Sequence, residues 1–303
     1  MSVLSSEQIE QFVTRGFVTV NDCFSRELAA DLTKKACERL YCSIDDPATW
    51  PVGRPRAPET GRIECSEFSP RAWQAACELV GGEERALRPC TWGDGFIINF
   101  GRQPEHEWHP PSATIRPYEL WHKDGDFFRH FLDSPEQGLL VVALFSDISP
   151  RGGATSIACD SVRHIARLLA DHPEGLLPAE LRAPASEIIG RCTDFVELTG
   201  SIGDVVFLHP YMLHSQSLNT LPIARFIINP PVKLQQPMSF DRPDGAYSPV
   251  ERGTLHALGV ERYAFSPSAP REAVIPERIA REKKFWAERE AAAQAASRAG
   301  RSN

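Results

Sequence analysis

The chain has 303 residues, 42% of them hydrophobic and 24% charged, an ordinary globular composition with enough apolar content for a sizeable core. A net charge of −7 and a pI near 5.8 argue against nucleic acid or an anionic membrane as its main partner. With no basic-then-apolar leader and no run of about 18 apolar residues, the sequence reads as a cytoplasmic protein without a membrane span.

The N-terminal part reads as helix, strand, helix. Ser5 and Gln8 form a capping box ahead of Ile9, Phe12 and Val13 at helical spacing, and Gly16 ends the helix. Phe17–Val20 is a short strand. Ser25 caps a second helix with Leu28, Leu32, Cys37 and Leu40 on one face. Residues 45–70 are rich in proline and turn formers, which predicts an irregular loop. Ser69-Pro70 then opens a helix to about Val80, closed by Gly81-Gly82.

From Trp92 the texture turns to β. Strands are expected over 95–100 and 118–124, with a loop over 105–117 between them. The apolar run 139–145 predicts a strand buried on both faces. Segments 154–158, 195–199, 205–209 and 224–228 add four more, interrupted by a helix over 161–171. The pattern predicts a mainly β fold with flanking helices around a jelly-roll core, a cupin-like double-stranded β-helix, at about 92–234. Residues 235–303 read as an appended C-terminal extension: a proline-rich stretch, a polar helix over about 272–289 and a frayed tail. Eight cysteines, none in a C-x-x-C pair, read as reduced and buried.

The chemistry concentrates in three places. Trp121-His122-Lys123-Asp124-Gly125 puts an imidazole and a carboxylate two residues apart at a strand end, on one face of the chain. By itself an H-x-D is a frequent accident, often no more than a surface pair. His209-Pro210-Tyr211-Met212-Leu213-His214 offers a second imidazole from either of two positions. Two imidazoles and one carboxylate on one side of a metal form the facial set of non-heme iron sites, with three coordination positions left open. Arg225 follows at 225 − 214 = 11 residues, well placed for the far end of a dicarboxylate.

These segments, with Phe17–Val20, Gly152-Gly153-Ala154-Thr155 and the stretch from Gly203-Asp204 to His214, resemble the phytanoyl-CoA dioxygenase (PhyH-like) superfamily of iron(II)- and 2-oxoglutarate-dependent oxygenases. The resemblance spans about residues 8–234 and implies a dioxygenase domain over 1–234. It implies His122, Asp124 and His214 as iron ligands, leaving His209 structural. It implies that Arg225 pairs with the C5 carboxylate of 2-oxoglutarate, a task suited to its planar fork, and that Thr155 adds a hydroxyl. Asn99 is a candidate for the C1 end, with a solvent-facing polar residue as the equal alternative, and Gln216 is a further cosubstrate candidate. Phe128 and Arg129, after the metal motif, are candidate substrate contacts, against the plainer reading of a mobile loop with a surface arginine. His106 and His109 read as surface residues.

The implied cofactors are Fe(II), 2-oxoglutarate and O2, and the implied reaction is oxidation of an unactivated C–H bond, hydroxylation by default. The partner is then a small molecule: an organic acid, an amino acid or a specialised metabolite. Oligomeric state, monomer or homodimer, stays open. No dense Lys/Arg cluster suggests a coenzyme A site. The chain departs from the family in having Cys159-Asp160-Ser161-Val162 where many members carry P-G-S-H, and Leu144 near a position where some place tryptophan. A metal-dependent cupin-type enzyme without 2-oxoglutarate and an inactive binding protein on the same fold remain as alternatives.

Overall fold

The structure is a computed structural model that describes residues 2–51, 55–101, 107–113 and 121–276, with 279, 284 and 287. Helix α1 (Ser6–Arg15) begins at the expected capping box and ends at Gly16, whose φ of 73° suits a residue without a Cβ. A side chain there would also collide with Val162 and Met212. Strand β1 (Phe17–Val20) follows, then α2 (Arg26–Arg39), capped by Ser25 and buried along Ala29, Thr33, Ala36 and Cys37. The segment expected to be irregular holds β2 (Arg62–Glu64) and the helical turn α3 (Cys65–Phe68). Elements this short leave no periodicity to read. Helix α4 (Pro70–Val80) starts on Ser69 as expected, followed by β3 (Thr91–Gly93) and β4 (Ile97–Phe100).

The core continues with β5 (Leu139–Leu144), β6 (Thr155–Ala158), α5 (Ser161–Asp171), α6 (Pro178–Ile189), β7 (Phe195–Leu198), β8 (Val205–Leu208), β9 (Leu213–Gln216), β10 (Ala224–Ile228) and β11 (Pro231–Val232). An antiparallel main sheet runs β1-β8-β5-β10-β4, with β11 extending the pairing of β5. A second sheet runs β7-β6-β9. From β5 to β10 the chain passes main, second, second, main, second, main. That winding is the double-stranded β-helix expected from the strand pattern. All six residues of β5 are buried, as their unbroken apolar run predicts, at about 1.5–3 kcal/mol per large side chain.

Further elements escape the sequence pattern. Helix α6 carries an internal Pro184, β9 is a four-residue strand around His214, and α7 (Pro249–Leu258) lies in the stretch expected to be appended. Helix α7 is instead part of the body, packed on α1, α4 and α5 with Val250, Thr254 and Leu255 buried. Of the strand expected over 118–124, residues 118–120 lie outside the described residues, and His122 forms a bridge. Most of the helix expected over 272–289 and the tail lie outside the described residues. All eight cysteines are free thiols, seven of them buried. No helix among the described residues is long and apolar enough to cross a membrane.

Helix α7 is locked by a buried carboxylate. Glu251 accepts from Arg85 at 2.6 Å, Arg242 at 3.1 Å and the backbone N–H groups of Ser239 and Ser248 at 2.9 Å. Burial raises its carboxyl, but Arg85 and the two N–H donors outweigh that and bring it down to about 2, from an ordinary 4.5. Because the folded value is depressed, this stabilisation is present above about pH 4.5 and is lost as pH falls toward 2. Glu251→Gln is therefore expected to lower the unfolding free energy by about 3 kcal/mol at neutral pH. In urea titrations the gap to wild type should close between pH 5 and pH 2; a gap independent of pH would contradict this account.

Candidate metal centre

His122 and His214, far apart in sequence, are joined by one antiparallel bridge. Each N–H donates to the other's carbonyl at 3.0 Å, the hydrogen-bonded pair of an antiparallel ladder. Side chains of such a pair leave the sheet on the same face, and the two imidazole centroids lie 4.4 Å apart. Asp124, two residues on from His122, points to the same side. Its Oδ1 is 3.3 Å from Nε2 of His122 and 3.6 Å from Nε2 of His214. One donor atom from each residue falls within 4.8 Å of the others. Burial works against the Asp124 carboxylate, but the two imidazoles, by charge and hydrogen bonding, hold it well below its ordinary range.

The scaffold fixes each donor. Trp121 is buried edge-on against Phe195, anchoring the segment before His122. Gly125, with φ 111°, turns the chain directly after Asp124, where a Cβ would strike His130 and Phe128. Lys123 points away from the donors; its Nζ donates to the Asp124 carbonyl at 3.1 Å and lies 2.9 Å from His130 Nδ1. On the other strand, Ser161 Oγ accepts from Leu213 N–H at 2.9 Å and holds the start of β9. The departure at Cys159–Val162 thus retains a serine that positions the strand of His214.

Asn229 is a site residue that sequence reading missed. Its Nδ2 donates to Asp124 Oδ2 at 3.0 Å, which leaves Oδ1 facing the imidazoles. The signal was present: Arg225, Ile227 and Asn229 alternate along and beyond β10, and all three line the same cavity. Groups that orient a metal ligand are worth about 10–100-fold in metal affinity. Asn229→Leu is expected to weaken Fe(II) or Zn(II) affinity by that factor, measured by chelator competition. An unchanged affinity would remove Asn229 from the site.

The cavity, about 290 Å³, lies between the two sheets. Arg225 faces it from β10, only 1% exposed. The alternate residues Phe226 and Ile228 turn the other way, Phe226 meeting Phe96 and Phe100 edge-on. Thr155 on β6 and Gln216 on β9 are direct register partners, and both line the cavity. Gln216 Nε2 is buried there without a hydrogen-bond partner among the described residues. Ile97, Leu140, Val142 and Ile227 supply apolar wall.

Three other candidates, Asn99, Phe128 and Arg129, make contacts of their own. Asn99 shares a strand face with Ile97, but its amide donates to the carbonyls of Ser217 (3.2 Å) and Gly153 (3.5 Å). These bonds tie the two sheets together, and Asn99 stands opposite Arg225 in the β4–β10 register. Phe128 is 2% exposed and packed on Phe127 and His130, so it supports the loop; Phe127 is the one that lines an adjoining cavity. Arg129 does not line either cavity: its guanidinium is 2.8 Å from Glu272, and its N–H donates to the Glu272 carbonyl. It pins the C-terminal segment. His106 lies outside the described residues, and His109 is exposed.

His209 is fully buried beneath α7, with Nε2 3.2 Å from the Val250 carbonyl and 3.3 Å from Thr254 Oγ1. Burial pushes its imidazole down to about 3, so it stays neutral. His209→Ala is expected to cost about 2–4 kcal/mol of stability in denaturant titration while leaving metal affinity unchanged. Loss of metal uptake by a folded variant would mean that the wrong histidine had been chosen.

No family model matches the chain, and no curated protein matches it. Among solved structures it is similar to the epimerase SnoN in complex with Fe3+, alpha ketoglutarate and nogalamycin RO, at 16% identity over 90% of this chain and 96% of that one, with a TM-score of 0.48. It is also similar to SnoK, a non-heme alpha ketoglutarate dependent carbocyclase from nogalamycin biosynthesis (18% identity; 76% and 84% covered; TM-score 0.46). A third is EctD from S. alaskensis with 2-oxoglutarate and 5-hydroxyectoine (19%; 75% and 74%; 0.42). Likenesses this distant transfer no activity to this chain.

Proposed function

We propose that the protein is an iron(II)- and 2-oxoglutarate-dependent oxygenase acting on an unactivated C–H bond of a small organic molecule, with hydroxylation as the default outcome. The observation that carries this reading is the convergence of His122, Asp124 and His214 in one cavity whose wall includes the buried Arg225. Two imidazole nitrogens and one carboxylate oxygen are the donor set suited to non-heme iron, and the set leaves one side open. The inner space offers a cation in Arg225, a hydroxyl in Thr155 and an unpartnered amide donor in Gln216. A small dicarboxylate needs groups of this kind.

His122, Asp124 and His214 would hold the metal, which when bound with 2-oxoglutarate supplies the oxidising power for the C–H bond. The chain's own residues bind, orient and exclude water. Arg225 would donate through its planar fork to the distal carboxylate, and the Thr155 hydroxyl would add a hydrogen bond. Leu140, Val142, Ile97 and Ile227 keep the walls apolar around the reacting end. Asn229 holds Asp124 through Oδ2 so that Oδ1 is presented. The test is succinate release with Fe(II), 2-oxoglutarate and O2 across a panel of organic acids, amino acids and specialised metabolites. Substrate oxidation that proceeds equally without 2-oxoglutarate contradicts the reading and favours a metal enzyme of another type.

A further inference from the structure

Outside the metal cavity lies an open groove of about 470 Å³. Arg56 and Asn229 line this groove, the metal cavity and the smaller space beside Phe127, so the three adjoin one another. The groove's charge runs against that of the chain. The protein carries −7 overall, yet Arg56, Arg62, Arg88 and Lys233 line the groove against one carboxylate, Glu59. Arg62 is paired with Glu59 at 2.6 Å, and Arg88 with Glu83 at 2.6 Å and Glu64 at 3.1 Å. Lys233 has no carboxylate partner among the described residues; its ammonium sits 5.3 Å from the Phe127 ring centroid. Ala57, Pro58, Leu87, Pro89, Ile228 and Pro230 are interspersed among these polar groups in the lining, with Leu87 partly exposed.

Both ends of this groove are held by the sheet. Arg56 is bridged to Ile97 on β4, and the Lys233 carbonyl accepts from Leu87 N–H at 2.8 Å, directly after β11 pairs with β5. The backbone at both cations is therefore held at fixed places relative to Asn229, which touches the metal ligand Asp124. Anions are drawn to such a patch over about a Debye length of roughly 8–10 Å.

We propose that the groove is the acceptor-substrate site and that the substrate is an amphipathic organic anion. Its carboxylate or phosphate ester is held by Lys233 and Arg56. Its apolar body lies along Pro58, Pro89 and Pro230 and passes Asn229, so that its far carbon reaches the metal cavity. This deepens the oxygenase reading and rests on it for the word substrate; the anion site itself does not.

The test is equilibrium binding by calorimetry, on the full chain saturated with Zn(II) and 2-oxoglutarate. The probes are ω-phenylalkyl carboxylates and phenylalkyl phosphates, with the matching primary amides and alcohols as neutral controls. Wild type should bind at least one anion series about tenfold more tightly than its neutral counterparts, and binding should weaken with added salt. The comparison between the two series tells a carboxylate site from a phosphate site. Lys233→Met and Arg56→Met should each lower anion affinity several-fold, and Lys233→Arg should restore most of it. Binding of neutral controls as tight as that of the anions, failure of every anion to bind, or affinities unmoved in both methionine variants would overturn the proposal. Titrations with 2-oxoglutarate itself should depend on Arg225 and not on Lys233. Their failure contradicts the oxygenase reading of the inner site, whereas failure of the groove titrations contradicts the anion site.

Discussion

Asp124→Ala is expected to reduce iron-dependent turnover to background, a loss on the order of 10³-fold or more, with metal affinity falling in parallel. Asp124 supplies the one carboxylate of the donor set, and its Oδ1 is the atom that both imidazole Nε2 atoms face. Alanine removes the charge that offsets a divalent cation and leaves Asn229 Nδ2 without its acceptor. The backbone bridge between His122 and His214 does not involve the Asp124 side chain, so the fold should survive. Circular dichroism and a thermal melt check that point, and chelator competition reads the metal. A folded variant that keeps wild-type turnover would remove Asp124 from the chemistry.

Arg225→Met should raise the KM for 2-oxoglutarate by about 10²–10³-fold, the equivalent of about 3–4 kcal/mol. Arg225 is among the most buried large side chains, held on β10 between β4 and β5. Methionine keeps much of the volume and removes the fork that matches a carboxylate. The loss should appear mainly in KM, because Arg225 grips the end of the cosubstrate away from the reacting atoms and contributes binding common to ground and transition states. Arg225→Lys should recover only part of the affinity, since an ammonium cannot pair bidentately. An unchanged KM in a folded Arg225→Met protein would refute the assignment.

The fold was legible wherever a segment was long enough to repeat its pattern. The capping boxes at Ser5 and the caps at Ser25 and Ser69, the six buried residues of β5 and the strand at β10 all announce themselves through period or cap chemistry. Short elements such as β2, α3 and β9 do not, because three or four residues hold no period. Helix α7 was hidden by its proline-rich surroundings, and what fixes it is the tertiary partnership of Glu251 with Arg85 and of Val250 with His209.

The site divides in the same way. His122, Asp124, Thr155, His214 and Arg225 could be found from spacing and resemblance, and the fold brings all five to one cavity. Asn229 could have been found from the alternation of β10, but its bond to Asp124 depends on where a loop after Trp121 places the carboxylate. The directions of Phe128 and Arg129 could not be read, because proximity in sequence to Asp124 does not fix them. The turn at Gly125 swings both away from the cavity, and the C-terminal segment at Glu272 takes up the arginine.

Anaerobic calorimetric titration of 2-oxoglutarate into the protein, with and without Fe(II), tests the central claim most directly. One equivalent should bind tightly only when one equivalent of metal is present, and that binding should be lost in Asp124→Ala and strongly weakened in Arg225→Met. Binding of 2-oxoglutarate that is indifferent to the metal, or no binding at all to the metal-loaded protein, would contradict the account.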